Sequence, residues 1–249
     1  MKIGLFVPCF VNELYPDVAW ATLNLLQKLG LDVHYPPEQT CCGQPMANSG
    51  CTTDVGVLAH RFVDIFSKYD YVVAPTASCV VMVKEGYDDY FAGGNERFEK
   101  VKNSIYEITE FLHDVIKLDR VDISFPYKVG VHNSCHGHRL LGLGAASELN
   151  IPHYSKIENL LRLIPDIEIV QLERYDECCG FGGTFSVVEP DISVAMGQDR
   201  IADHLRSGAE VMTGADMSCL MHMEGIINRE GKPLKVMHIA QILAGERPK

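Results

Sequence analysis

Ile3-Gly4-Leu5-Phe6-Val7-Pro8-Cys9 near the start of the chain, and Lys128-Val129-Gly130-Val131 running into Ser134-Cys135 at its middle, are two copies of one phrase. Each is a short apolar run that ends at a cysteine. The chain continues in the same order after both. In the first half an extended stretch at Asp32 to Tyr35 leads to Cys41-Cys42-Gly43, and Tyr71-Val72-Val73-Ala74 leads to Ser78-Cys79. In the second, Asp166 to Val170 leads toward Cys178-Cys179-Gly180, and Glu210-Val211-Met212 leads to Ser218-Cys219. The tails match as well, with Ile105-Tyr106-Glu107-Ile108-Thr109-Glu110-Phe111-Leu112 answering Val236-Met237-His238-Ile239-Ala240-Gln241-Ile242-Leu243. A pattern repeated at this length marks a structural unit used twice.

Helices fill the spaces between the short apolar runs. Val18, Ala19, Thr22, Leu25, Leu26 and Leu29 recur at helical spacing, with Pro16 suited to the start and Gly30 to the stop. Val55, Leu58, Phe62, Ile65 and Phe66 form a second stripe, and Phe98, Val101, Ile105, Ile108, Leu112 and Val115 a longer third one. Strands alternating with helices imply parallel sheets with right-handed crossovers. The expected fold is α/β, two tandem pseudo-repeated subdomains at residues 1–120 and 121–249. The charged, Pro-containing stretch Leu118 to Pro126 marks the boundary.

The 249 residues are 47% hydrophobic and 22% charged, the balance of a folded globular chain. A formal net charge of −11 argues against nucleic acid or an anionic membrane surface, which need a basic face to displace counterions. No apolar run approaches a membrane span, and Met1 to Phe10 lacks the features of a secretion signal. The expectation is a cytoplasmic protein. In that reducing compartment nine cysteines point to metal ligands or thiol chemistry rather than to disulfides.

In an open parallel sheet, loops at the carboxyl ends of neighbouring strands converge on the ligand site. Cys9, Cys41, Cys42 and Cys79 all follow predicted strands, as do Cys135, Cys178, Cys179 and Cys219, so one thiolate cluster is expected per half. A thiolate-rich metal centre fits the doubled Cys-Cys-Gly. Zinc, in a scaffold that serves assembly rather than redox chemistry, is open as the alternative to iron–sulfur, although the paired C-x-x-C knuckles common in zinc sites are absent. A dithiol catalyst is disfavoured because a bridge between adjacent cysteines is strained. Cys51 stands outside the scheme and is expected to be a buried small hydrophobe.

At Cys41-Cys42-Gly43-Gln44-Pro45, Cys178-Cys179-Gly180-Phe181-Gly182-Gly183-Thr184-Phe185-Ser186 and Gly214-Ala215-Asp216-Met217-Ser218-Cys219, the chain resembles the cysteine-rich CCG-domain family. That family occurs as tandem copies in heterodisulfide reductase and in iron–sulfur subunits of glycolate and anaerobic glycerol-3-phosphate oxidation. At this length the resemblance is to the small member of three-protein L-lactate oxidation systems. It implies an oxidoreductase subunit converting lactate, a 2-hydroxy acid, to pyruvate; a thiol or heterodisulfide reductase is the alternative activity of the same clusters. It further implies a ferredoxin-like iron–sulfur partner subunit, a third lactate-utilisation subunit, and one or two iron–sulfur clusters of the [4Fe-4S] kind. By carry-over Cys9, Cys41, Cys42 and Cys79 hold one cluster, and Cys135, Cys178, Cys179 and Cys219 a second. The heterodisulfide-reductase form ends in C-x-x-C, whereas Met82 and His222 stand three positions after Cys79 and Cys219 here, leaving four thiolates per half. His222 is then a candidate nitrogen ligand, and Met82 a core residue. His132, His136, His138 and Arg139 flank Cys135 in one loop, where they suit proton handling or the grip of a guanidinium on a substrate carboxylate. The glycines from Gly180 to Gly183 leave room for backbone amides to approach cluster sulfurs.

Overall fold

Two four-stranded sheets, every pair parallel, organise residues 1–249 of the computed structural model. The first contains β1 (Lys2–Leu5), β2 (Asp32–His34), β3 (Tyr71–Ala74) and β4 (Ile105–Glu107) in the order β2-β1-β3-β4. The second contains β5 (Lys128–His132), β6 (Glu168–Ile169), β7 (Val211–Gly214) and β8 (Lys235–His238) in the order β6-β5-β7-β8. Strand for strand the two orders correspond, so the repeat in the sequence is a repeat in the structure. Packing divides the chain into a unit of residues 1–108 and a unit of residues 109–249. Residues 118–126 carry no regular structure.

In the first unit, α1 (Cys9–Leu14) and α2 (Pro16–Lys28) follow β1, α3 (Gln44–Asn48) and α4 (Thr52–Phe66) follow β2, and α5 (Ala77–Lys84) and α6 (Glu96–Ser104) follow β3. Pro16 fixes the first turn of α2, Asp17 complements its positive end, and the chain leaves through Gly30 at φ +75°. Central strands with helices on their faces are buried on both sides, and Ile3, Val72, Val73 and Ala74 have no exposed surface. Phe6 extends this core, with its ring centroid 4.9 Å from that of Phe62 and 5.7 Å from that of Phe66.

The second unit repeats the scheme after a short helical turn, α7 (Ile108–Glu110), and a wider helical segment at Phe111–Ile116. Its α-helices are α8 (Lys156–Leu161), α9 (Phe185–Val188), α10 (Pro190–Arg206), α11 (Met217–Glu230) and α12 (Ile239–Ala244), with shorter helical segments at His136–Leu140 and Ser147–Leu149. Gly4 and Gly130 occupy matching strand positions for a matching reason. A Cβ on Gly4 would lie 2.6 Å from the Tyr69 ring, and one on Gly130 would lie 2.3 Å from His204 Nδ1.

Two expectations need correction. The stripe from Phe98 to Val115 is not one helix: α6 stops at Ser104, and Ile105–Glu107 becomes edge strand β4, in register with Val72–Ala74. Pairing with the sheet overrides helical periodicity there, as it does for the equivalent β8. Cys51 is exposed rather than buried, at the entrance to α4.

Candidate metal centres

In the first unit Cys9 is the first residue of α1, Cys41 and Cys42 lie in the loop after β2, and Cys79 sits in the first turn of α5. Each of these positions is a carboxyl-end exit from a strand, which is why residues so distant in sequence share one place. The Cys9 thiol donates to Cys41 Sγ at 3.7 Å. Hydrogen bonds from Cys42 and then Cys9 lower the Cys41 pKa to about 3, making it the thiolate of the set. Cys42 is held far above the ordinary thiol range by its bonds with Cys41 and Cys79 and by burial. The sulfurs thus form a connected chain, Cys9, Cys41, Cys42, Cys79.

Gly43 turns the backbone beneath this chain at φ +87°, a left-handed conformation that glycine adopts at low cost. Its N–H points at Cys41 Sγ, 3.3 Å away. Gln39 fastens the loop to the end of β1: its side chain accepts from Val7 N at 2.7 Å and donates to Leu5 O at 3.1 Å. Tyr87 donates to Cys42 O at 2.8 Å.

The second unit builds the same object. Bonds from Cys135 and then Cys179 bring the Cys178 pKa down to about 2, while Cys179 is raised by its bonds with Cys178 and Cys219 and by burial. Gly180, at φ +88°, directs its N–H to Cys178 Sγ at 3.4 Å, and Phe181 N–H lies 3.5 Å from Cys179 Sγ. Asn133, just after β5, donates to Tyr175 O at 3.1 Å and ties down the approach to Cys178. Beneath that loop Asp203 accepts from Glu173 N and Arg174 N at 3.2 and 3.1 Å, and is paired with the fully buried Arg200 at 2.9 Å. Sequence reading missed this pair, because its partners lie in a loop remote from α10.

The other candidate residues are distributed differently. His136 Nδ1 is 3.7 Å from Cys135 Sγ. His138 is buried, with Nε2 bonded to Ala145 O at 2.7 Å. Arg139 spends its guanidinium on carboxylates of the chain itself, Glu148 at 2.6 and 3.0 Å and Asp176 at 3.1 Å. His222 Nε2 faces Ser193 O at 3.1 Å rather than a sulfur. The nitrogen that does sit among sulfurs belongs to His132, the last residue of β5. One of its ring nitrogens, Cys179 Sγ and Cys219 Sγ all lie within 4.8 Å of one another, and all three residues are buried. Burial, and then the charge of Arg200, lower the His132 pKa to about 3, so the ring is neutral and able to bind a metal.

Grouped sulfurs already sharing one negative charge, with backbone N–H groups aimed at them, form a donor set suited to a thiophilic cation or cluster. The cysteine-rich CCG domain profile matches residues 3–84 and 129–224, the two segments that carry these sets. The chain belongs to the CCG cysteine-rich family. Among curated members, Lactate utilization protein A of Exiguobacterium sp. is 41% identical over 247 residues, covering 97% of this chain and 96% of that protein. Lactate utilization protein A of Geobacillus thermodenitrificans is likewise 41% identical, covering 98% of each. The similarity to these lactate utilization proteins runs along nearly the whole of this CCG protein. Among solved structures, a hypothetical protein from Helicobacter pylori superposes with a TM-score of 0.66 at 12% identity, which shows a shared fold. The chain spans 49% of the length of that protein.

Proposed function

We propose that the protein is an iron–sulfur subunit of a complex that oxidises L-lactate, or a close 2-hydroxy acid, to pyruvate. The observation that carries this reading is the pair of connected four-sulfur sets, one in each copy of a chain whose relatives are lactate utilization proteins. Each domain, 1–120 and 121–249, would hold one centre, through Cys9, Cys41, Cys42 and Cys79 in the first and Cys135, Cys178, Cys179 and Cys219 in the second. Such a centre supplies one-electron transfer. The residues of the chain do the rest: Gly43, Gly180 and Phe181 offer N–H groups to ligand sulfurs, which stabilises added negative charge and raises a reduction potential. His136, with Nδ1 3.7 Å from Cys135 Sγ, is our candidate for proton handling. The electrons pass to a ferredoxin-like partner, with a third lactate-utilisation subunit completing the complex. We assign this assembly to the cytoplasm; no helix of the chain is long and apolar enough to cross a membrane.

The test is metal analysis of protein purified without oxygen. Iron and acid-labile sulfide should appear together, and Cys42→Ser and Cys179→Ser should each remove about half of both. Zinc alone, retained in air, would sink the redox reading. One observation favours that second reading: four sulfurs around a single tetrahedral ion with bonds of about 2.3 Å are spaced by about 3.8 Å, close to the 3.7 Å between Cys9 and Cys41.

A further inference from the structure

We propose that His132 is an imidazole ligand of the metal centre in the second unit, making the two centres chemically different: sulfur alone in the first, sulfur and nitrogen in the second. This rests on the reading of the sulfur sets as metal centres and goes beyond it.

Three observations converge. His132 is 1% exposed, and neither of its ring nitrogens has a hydrogen-bond partner. A buried polar ring without a partner is costly to maintain, and such groups in native proteins call for a partner of another kind. Next, its reach is right. A nitrogen of the ring, Cys179 Sγ and Cys219 Sγ lie within 4.8 Å of one another. Ligands at about 2.0 Å for nitrogen and 2.3 Å for sulfur on one four- or five-coordinate ion are about 3.0–3.6 Å apart, so the trio needs to contract by at most about 1.8 Å. The strand holds the ring in place, since His132 pairs with Gly214 at the end of β5.

The repeat itself supplies the third. Aligning Lys2–Leu5 with Lys128–Val131 and Cys9 with Cys135 sets Phe6 opposite His132. Phe6 is fully buried in an aromatic cluster with Phe62 and Phe66. One strand end thus carries an apolar ring in the first copy and a ring with metal-binding nitrogens in the second, beside otherwise equivalent cysteines.

The experiment uses the full chain, stripped of metal under reducing conditions, labelled with nitrogen-15 at histidine and loaded with cadmium-113. Cadmium NMR should give two resonances, with one shifted upfield and split by nitrogen coupling. In His132→Phe that splitting should vanish while the other resonance stays unchanged; in His222→Ala and His136→Ala it should persist. Two unsplit resonances in the wild type, or a splitting that survives His132→Phe, would overturn the assignment. The wild-type spectrum decides the matter even if His132→Phe folds poorly. Failure of the chain to take up cadmium at all would overturn the metal-centre reading itself, and the assignment of His132 with it.

Discussion

Gly43 and Gly180 perform the same turn under unequal constraints. A Cβ on Gly43 would meet only Leu58 Cδ1, at 3.4 Å, and Val55 beyond it, whereas one on Gly180 would lie 2.5 Å from Ser193 O and 2.7 Å from Met196 Cβ. Gly43→Ala should therefore cost about 1–2 kcal/mol, the penalty of left-handed backbone alone. Gly180→Ala adds a collision with backbone and should exceed about 3 kcal/mol. Urea denaturation of the two variants checks the order. His204 gives a pH prediction. It is fully buried, with its pKa pushed well below the usual 6.5 by burial and then by the charge of Arg200. The folded state thus binds fewer protons than the unfolded one below about pH 6.5. The stability this represents is complete above that pH and is lost as pH falls. His204 should contribute a loss of about 1.4 kcal/mol per pH unit below pH 6.5 in the metal-free chain, read as a falling urea midpoint between pH 7 and 5. A midpoint independent of pH across that window would refute it. At this scale the cysteines are legible in the sequence because they come in a doubled, repeated spelling. His132 shows in the sequence as one of several histidines near Cys135 and as the counterpart of Phe6, but that it, rather than His136 or His222, sits among the sulfurs depends on folding.

Among the elements, α10 has a double duty. Its Arg200–Asp203 pair is buried in the helix, yet its outward bonds go to the backbone at Glu173 and Arg174, just ahead of Cys178. Asp203→Ala would leave the Arg200 charge uncompensated and should cost about 3–5 kcal/mol. Because the loop loses its anchor, metal bound in the second unit should also drop, while that in the first persists; metal content of separate Cys42→Ser and Cys179→Ser backgrounds resolves the two. Helix α11 begins with Asp216 accepting from Ser218 N at 3.2 Å. Its replacement by Ala should cost about 1 kcal/mol, seen in the thermal midpoint. Helices such as α2 are readable from periodicity and end signals, since Pro16, Asp17 and Gly30 act locally. The Phe98–Val115 stripe is misleading because Ile105 satisfies helical spacing and strand burial equally well. Only the open edge of β3, absent from any local reading, decides between them.

Across the whole chain, the repeat made the architecture readable: two copies of one parallel α/β unit could be inferred, whereas the order of strands within each sheet could not. What the repeat conceals is where its copies diverge. The first set is all sulfur with an aromatic backing, and the second adds His132 and a buried ion pair. Removing metal should accordingly lower the thermal midpoint of the full chain, because a ligand that binds only the folded state adds its binding free energy to stability. An unchanged midpoint after chelation would show that nothing is held there.

The gathering of each sulfur set at the carboxyl ends of its strands also dictates a timetable. Cys9, Cys41, Cys42 and Cys79 meet only once β1, β2 and β3 have paired, and β3 is translated some seventy residues into the chain. A growing chain on the ribosome has no complete chelating pocket to offer a stray copper or zinc ion until its first sheet has assembled. A metal held by these four sulfurs would bind only the paired strands, and its binding free energy would count toward holding that sheet together.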